Sequence, residues 1–152
     1  MRKEIKEMVY KPERLKTPEI LLDTEEEGIR IIILSLGTHP CAYVGIPINH
    51  PLARFDYDDL SFIRCHGGFT FSREGDGKYL PKGYWWYGWD YAHCGDYMGY
   101  YENDESIQLG SKKWTTQEIY DEAQFVAWDM KRLMTLIEKI YIKEKFYESK
   151  NS

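Results

Sequence analysis

The chain has little in it that would staple or tether a fold. Its three cysteines are an odd count that a disulfide framework cannot use up. No apolar run approaches the ~18 residues that a membrane span needs. The longest, Ile31 to Leu34 with Leu36 close behind, is strand-sized. The opening MRKEIKEMVY lacks the apolar centre of a secretory signal, so the expected workplace is a cytoplasm and the cysteines are expected to be reduced thiols. Basic charge is also short. Lys and Arg number 20 against 25 Asp and Glu, for a net −5. That argues against nonspecific nucleic-acid binding, which needs a basic surface, and against attraction to anionic membranes. The basic residues at the two ends (Arg2, Lys3, Lys6 and Lys139, Lys143, Lys145) are interleaved with glutamates and read as solvated helix faces. Gly-x-Ser-x-Gly, a phosphate loop, a dinucleotide fingerprint and His-Glu-x-x-His are all absent.

With 152 residues, 43% of them hydrophobic and 30% charged, the composition fits one folded domain over 1–152 and excludes disorder for the bulk of the chain. Residues 1–10 read as a short amphipathic helix, with Ile5, Met8 and Val9 on one side, ended by Pro12. Residues 23–28 (DTEEEG) read as an acidic turn. IRIIILSLG (29–37) is β-branched and continuous, the pattern of a strand buried on both faces, and CAYVGIP (41–47) follows as a second strand. Residues 48–60 read as a loop with one helical turn. SFIRC (61–65) and FTFSR (69–73) look like strands joined by a His66-Gly67-Gly68 turn, and GYWWYGW (83–89) is an aromatic strand. Asp90 to Tyr101 suits an ordered functional loop, and 103–110 an exposed connection. Thr115 followed by Glu118 is a capping box. Beyond it Ile119, Ala123, Val126, Met130, Leu133, Ile137 and Ile140 recur at alternating spacings of four and three, which predicts one long helix. Phe125, Trp128 and Leu136 fall off that stripe, a hint of a homodimer contact through the C-terminal helix. Strands clustered before one long helix indicate an α+β fold, mainly antiparallel sheet packed on that helix.

Chemistry concentrates in three places. Ten of the 23 residues from Tyr79 to Tyr101 are Tyr or Trp. On a strand, Tyr84, Trp86 and Gly88 face one way and Trp85, Tyr87 and Trp89 the other. Such rings can be core residues with polar tips, or walls that stack a nucleobase-like ligand. Asp90, His93 and Asp96 then form D-x-x-H-x-x-D. A His with carboxylates suits a general base and its orienter, or Zn, Mn or Fe. Cys94 and Cys65, each beside a His, leave a mixed zinc site open, although no spacing matches a standard finger or ribbon. The second place is His66-Gly67-Gly68 with Thr70, where glycine amides can hold an anion or simply turn the chain. The third is Cys41, a nucleophile if a His lies close, and otherwise a small buried apolar group.

The segments CAYVGIP with His50-Pro51, then HGGFTFS (66–72), then WYGWDYAHCGDY (86–97), resemble a family of small uncharacterised proteins of bacteriophages and prophages. The likeness spans roughly residues 38–140. It implies a bacterial cytoplasm as workplace and counter-defence as setting, and it implies no reaction. Three functions follow as expectations. One is a binding protein that holds a nucleotide-like small molecule through Gly67, Gly68, Thr70, Trp86, Trp89, Asp90, Tyr91, His93 and Asp96, sequestering a host defence signal. Another is a small hydrolase, with or without a metal, in which His93 works with Asp90, Asp96 and His66. The third is an interaction factor that blocks a host protein.

Overall fold

The computed structural model describes residues 4–151. A five-stranded, wholly antiparallel sheet has the order β1-β2-β3-β5-β4, with β1 Glu19–Glu26, β2 Ile29–Ser35, β3 Pro40–Pro47, β4 Phe71–Glu74 and β5 Tyr84–Asp90. A short helix α1 (Glu105–Leu109) precedes the long helix α2 (Thr116–Asn151). The α+β architecture read from the pattern is the one observed.

β2 is apolar without a break from Ile31 to Leu34 because both of its faces are covered there. Ile31 and Ile33 join Ala42, Val44, Ile46, Tyr87 and Trp89 in the core beneath α2, where Ile119, Ala123, Val126 and Met130 meet them. Ile32 and Leu34 point the other way, onto Cys41, Leu80 and Trp86. The alternation expected along β5 therefore holds. Its outer aromatic face is closed by the chain at Tyr79 to Pro81, where Trp86 Nε1 donates to the Pro81 carbonyl at 3.0 Å. Thr115 and Glu118 cap α2 reciprocally, Glu118 N donating to Thr115 Oγ1 at 3.2 Å and Thr115 N to Glu118 Oε1 at 3.0 Å. The first half of α2 crosses the sheet. Its later turns run beyond it, so Leu133 and Ile137 are half-buried and Ile140 is exposed.

Three local expectations are corrected. The N-terminal helix is absent from residues 4–10, and residues 1–3 lie outside the described residues. That segment is an extended strap: Lys6 N donates to Leu21 O at 2.9 Å, Lys11 N to Gly37 O at 2.9 Å, and Met8 is buried. A helix this short is unstable without tertiary contacts, and an extended chain lets Met8 and Tyr10 both face inward. The acidic segment 23–28 mostly belongs to β1, which makes a hairpin with β2 through Glu27 and Gly28, both at positive φ. Residues 61–65 form no strand. Asp56 and Asp59 cap a 3₁₀ turn over Tyr57–Leu60, and Ile63 N closes back on Leu60 O at 3.0 Å, so local bonds bend the apolar run. His66-Gly67-Gly68 is thus a turn that enters β4 from a loop.

Candidate functional site

The loop after β5 and the turn before β4 come together at the end of the sheet, over the start of α2. Their junction is the carboxylate of Asp96, which is 4% exposed. Asp96 Oδ2 faces His66 Nε2 at 2.7 Å and accepts from the His93 amide at 2.9 Å. Its Oδ1 accepts from Trp114 Nε1 at 2.9 Å. Burial pushes this carboxyl up, but hydrogen bonds from the His93 amide, His66 and Trp114 outweigh it and hold the group below its usual value. A carboxylate oxygen accepts, so Nε2 is the nitrogen through which His66 donates to Asp96.

The His66 ring is clamped. It stacks on Tyr91, with centroids 4.7 Å apart and planes 6° from parallel, and meets Trp114 edge-on at 5.0 Å. Its backbone amide donates to Glu122 Oε1 at 3.2 Å. The same oxygen accepts from Tyr91 Oη at 2.5 Å and Trp89 Nε1 at 3.1 Å. Burial and the Glu122 bond both push the Tyr91 phenol up, so it stays a donor.

His93 completes the cluster. Its Nδ1 is sealed from solvent without a hydrogen-bond partner, 3.6 Å from Asp96 Oδ2 and 3.7 Å from Asp90 Oδ1. The ring lies against Gly67: a Cβ there would fall 2.3 Å from His93 Cε1, and φ is +73°. Glycine is thus required twice at position 67, for conformation and for space. Beside His93 and Asp96 opens a cavity of about 340 Å³, walled also by Met98, Tyr100, Tyr101 and Ile107. Among the described residues, no Lys or Arg lines it.

The nine residues singled out from the sequence separate into groups. Asp96, His93, Tyr91, Trp89 and Gly67 gather with His66 at this junction. Asp90 stands at its edge, where its Oδ1 accepts from the Ala92 amide at 3.1 Å. Trp86 is fully buried on the opposite face of the sheet. Gly68 spends its amide on Cys65 O at 2.9 Å, and the Thr70 amide bonds Gly88 O at 2.9 Å. The rings of Trp89 and Tyr91 are fully buried, leaving Tyr100 as the exposed aromatic ring on the cavity. Burial pushes the thiols of Cys41 and Cys65 up to about 12, which keeps both protonated, while Cys94 is exposed.

Glu122 and Trp114 do not emerge from the motifs. Glu122 carried a signal: it lies three residues after Ile119 and four before Val126, a carboxylate set within the apolar stripe. Trp114 carried none beyond being aromatic. Its carbonyl is fixed by Tyr10 Oη at 2.8 Å, a contact across 104 residues. The chain matches no protein-family model, no curated protein and no solved structure.

Proposed function

We propose that the protein is a phage-type hydrolase of a small molecule, with His66, His93 and Asp96 as its reacting centre. One observation carries the reading: a buried carboxylate faces one imidazole at 2.7 Å, next to a second imidazole on the wall of a cavity. Asp96 orients His66 and balances the charge that His66 gains on taking a proton from water through Nδ1. His93 stands on the cavity wall to position the substrate or return a proton. A cavity of about 340 Å³ falls within the range of small-molecule sites. Its aromatic wall and lack of cationic lining favour a nucleobase- or nucleoside-like molecule over a polyphosphate.

The test is turnover of a panel of nucleosides, nucleotides and chromogenic esters, read by mass spectrometry of the products. Asp96→Asn is expected to lower turnover about 10²–10⁴-fold, the usual worth of acid–base catalysis, while retaining binding. Native mass spectrometry of protein purified from bacteria checks for a retained small molecule. Binding without any turnover in the unaltered protein sinks the hydrolase and leaves a binding protein that sequesters its ligand.

A second reading, of assembly, rests on the outer face of α2. Phe125, Trp128 and Leu136 are 68%, 59% and 56% exposed, and Phe62, Trp128 and Leu136 line a groove of about 700 Å³. The four–three spacing of Leu133, Ile137 and Ile140 continues past the sheet, as in a helix-pairing seam. We propose that a second copy of the chain pairs there. Light scattering on a sizing column should give a dimer, and Leu136→Lys with Ile140→Lys should give a monomer. A monomeric unaltered protein ends the idea.

A further inference from the structure

We infer that His66, His93 and Asp96 form a binding site for one divalent transition-metal ion, of the zinc class. The inference rests on the hydrolytic reading and changes one role in it, His66 becoming a ligand and the ion rather than His66 activating the water, but metal binding itself does not depend on turnover.

Three facts converge on it. The three side chains each offer one ligand atom, and these atoms all lie within 4.8 Å of one another. Ligand atoms at about 2.0–2.2 Å from a tetrahedral zinc stand about 3.4 Å apart. The separations of 2.7 Å for His66 Nε2 to Asp96 Oδ2 and 3.6 Å for His93 Nδ1 to Asp96 Oδ2 bracket that figure. Shifts of under about 1 Å bring both pairs to it.

The unpartnered atom is the second fact. His93 Nδ1 is sealed from solvent and has no hydrogen bond, although two carboxylates stand within 3.7 Å of it. A buried imidazole nitrogen in a finished hydrogen-bond network finds a partner. Here it faces the oxygen that His66 also faces, so one ion between the three satisfies all of them. To ligate through Nε2, His66 takes the tautomer with its proton on Nδ1 and so binds as a neutral imidazole.

The third is the surrounding support. Asp96 Oδ1 is held by Trp114 and Oδ2 by the His93 amide, while His66 is fixed between Tyr91 and Trp114. Such outer contacts orient metal ligands and raise affinity. Two imidazoles and one carboxylate are a borderline-soft set that selects zinc, iron, cobalt or manganese over magnesium or calcium. Neither Cys65 nor Cys94 belongs to the group. The adjacent cavity, walled by His93 and Asp96, gives a fourth position access to substrate and water.

The experiment uses the full chain, stripped by dialysis against a chelator. Zinc is titrated calorimetrically, and cobalt is added as a probe whose visible absorption reports low-coordinate geometry. One equivalent of zinc should bind, raise the melting temperature, and be competed by cobalt with intense bands. His93→Gln, at a partly exposed position that spares the buried carboxylate, should weaken zinc at least about 100-fold, more than the loss of an outer contact does. His66→Gln should act alike, with near-ultraviolet dichroism confirming that each variant is folded. Cys94→Ser should change nothing. The site is overturned if the unaltered protein binds no zinc, if the double His66→Gln/His93→Gln variant binds as tightly as before, or if Cys94→Ser abolishes binding. Zinc bound without turnover sinks the hydrolase and keeps this site. Turnover by stripped protein that takes up no zinc does the reverse.

Discussion

The two ends of the aromatic strand β5 use the same residue types for different ends. At Trp85, Trp86 and Tyr87, each polar tip goes to a backbone carbonyl: Trp85 to Phe55 O, Trp86 to Pro81 O, Tyr87 to Leu52 O and Phe55 O. Those bonds tie loops to the sheet and leave nothing charged behind. From Trp89 onward the tips go to carboxylates. Trp89 and Tyr91 share Glu122, while Trp114 and His66 share Asp96. Burying a carboxylate is costly unless several donors satisfy it, and a fold with only packing to achieve has apolar alternatives. The partner of a buried aromatic tip thus separates scaffold from site more sharply than the aromatic residue itself does.

The largest effect should come from the scaffold end. Trp86→Ala should cost about 3–5 kcal/mol in denaturant unfolding without touching the zinc affinity per folded molecule. A change in affinity would blur the division. At the site end, Glu122→Gln should cost about 1–3 kcal/mol, since an amide oxygen replaces a charged acceptor of three donors. It should also weaken the cluster by loosening His66, read as lower zinc affinity. If only stability falls, Glu122 belongs with the scaffold. Gly67→Ala should cost about 1–2 kcal/mol for left-handed backbone and push the His93 ring out of place, so its effect on zinc should exceed its effect on unfolding. Thr115→Ala, whose side chain touches neither carboxylate of the site, should cost about 1 kcal/mol through the lost cap. The partner of that cap adds a small pH effect. The bond with Lys112, then those with Thr115, hold Glu118 below its usual value. A depressed carboxyl stabilises the fold above the ordinary carboxylate range, and that contribution is lost as pH falls through its native value. Melting temperatures of Glu118→Gln and the parent should therefore converge in acid. Finally, thiol reagents at neutral pH should label exposed Cys94 first, half-buried Cys65 more slowly, and buried Cys41 only on unfolding.

Much of the scaffold was legible because its signals are periodic. The unbroken β2 run, the alternation along β5 and the capped stripe of α2 each state a burial pattern in the residues themselves. β1 was hidden because EILLDTEE ends in acidic residues that suit a turn, and only the pairing with β2 makes it a strand. SFIRC had strand composition but lost to the aspartate caps ahead of it. At the site, Asp90, His93 and Asp96 were visible through their spacing, and His66 through its glycines. That His66 would lie 2.7 Å from Asp96, 30 residues on, depends on how two loops cross the end of the sheet, which no local pattern encodes. Trp86 shared every sequence property of Trp89 yet faces away, because strand parity alone decides between them.

The neck of the cavity-bearing loop is tied close to that carboxylate. Lys112 N bonds Gly95 O at 2.7 Å and Tyr97 N bonds Lys112 O at 2.8 Å, with His93 and Trp114 anchored to Asp96 just outside. This knot holds the neck of the segment from 95 to 112, and a second tie lies further along it, where Gly99 N bonds Thr38 O at 2.9 Å. Zinc held on that carboxylate should slow deuterium uptake at the neck, including residues it never touches, and leave the far side of the sheet unchanged.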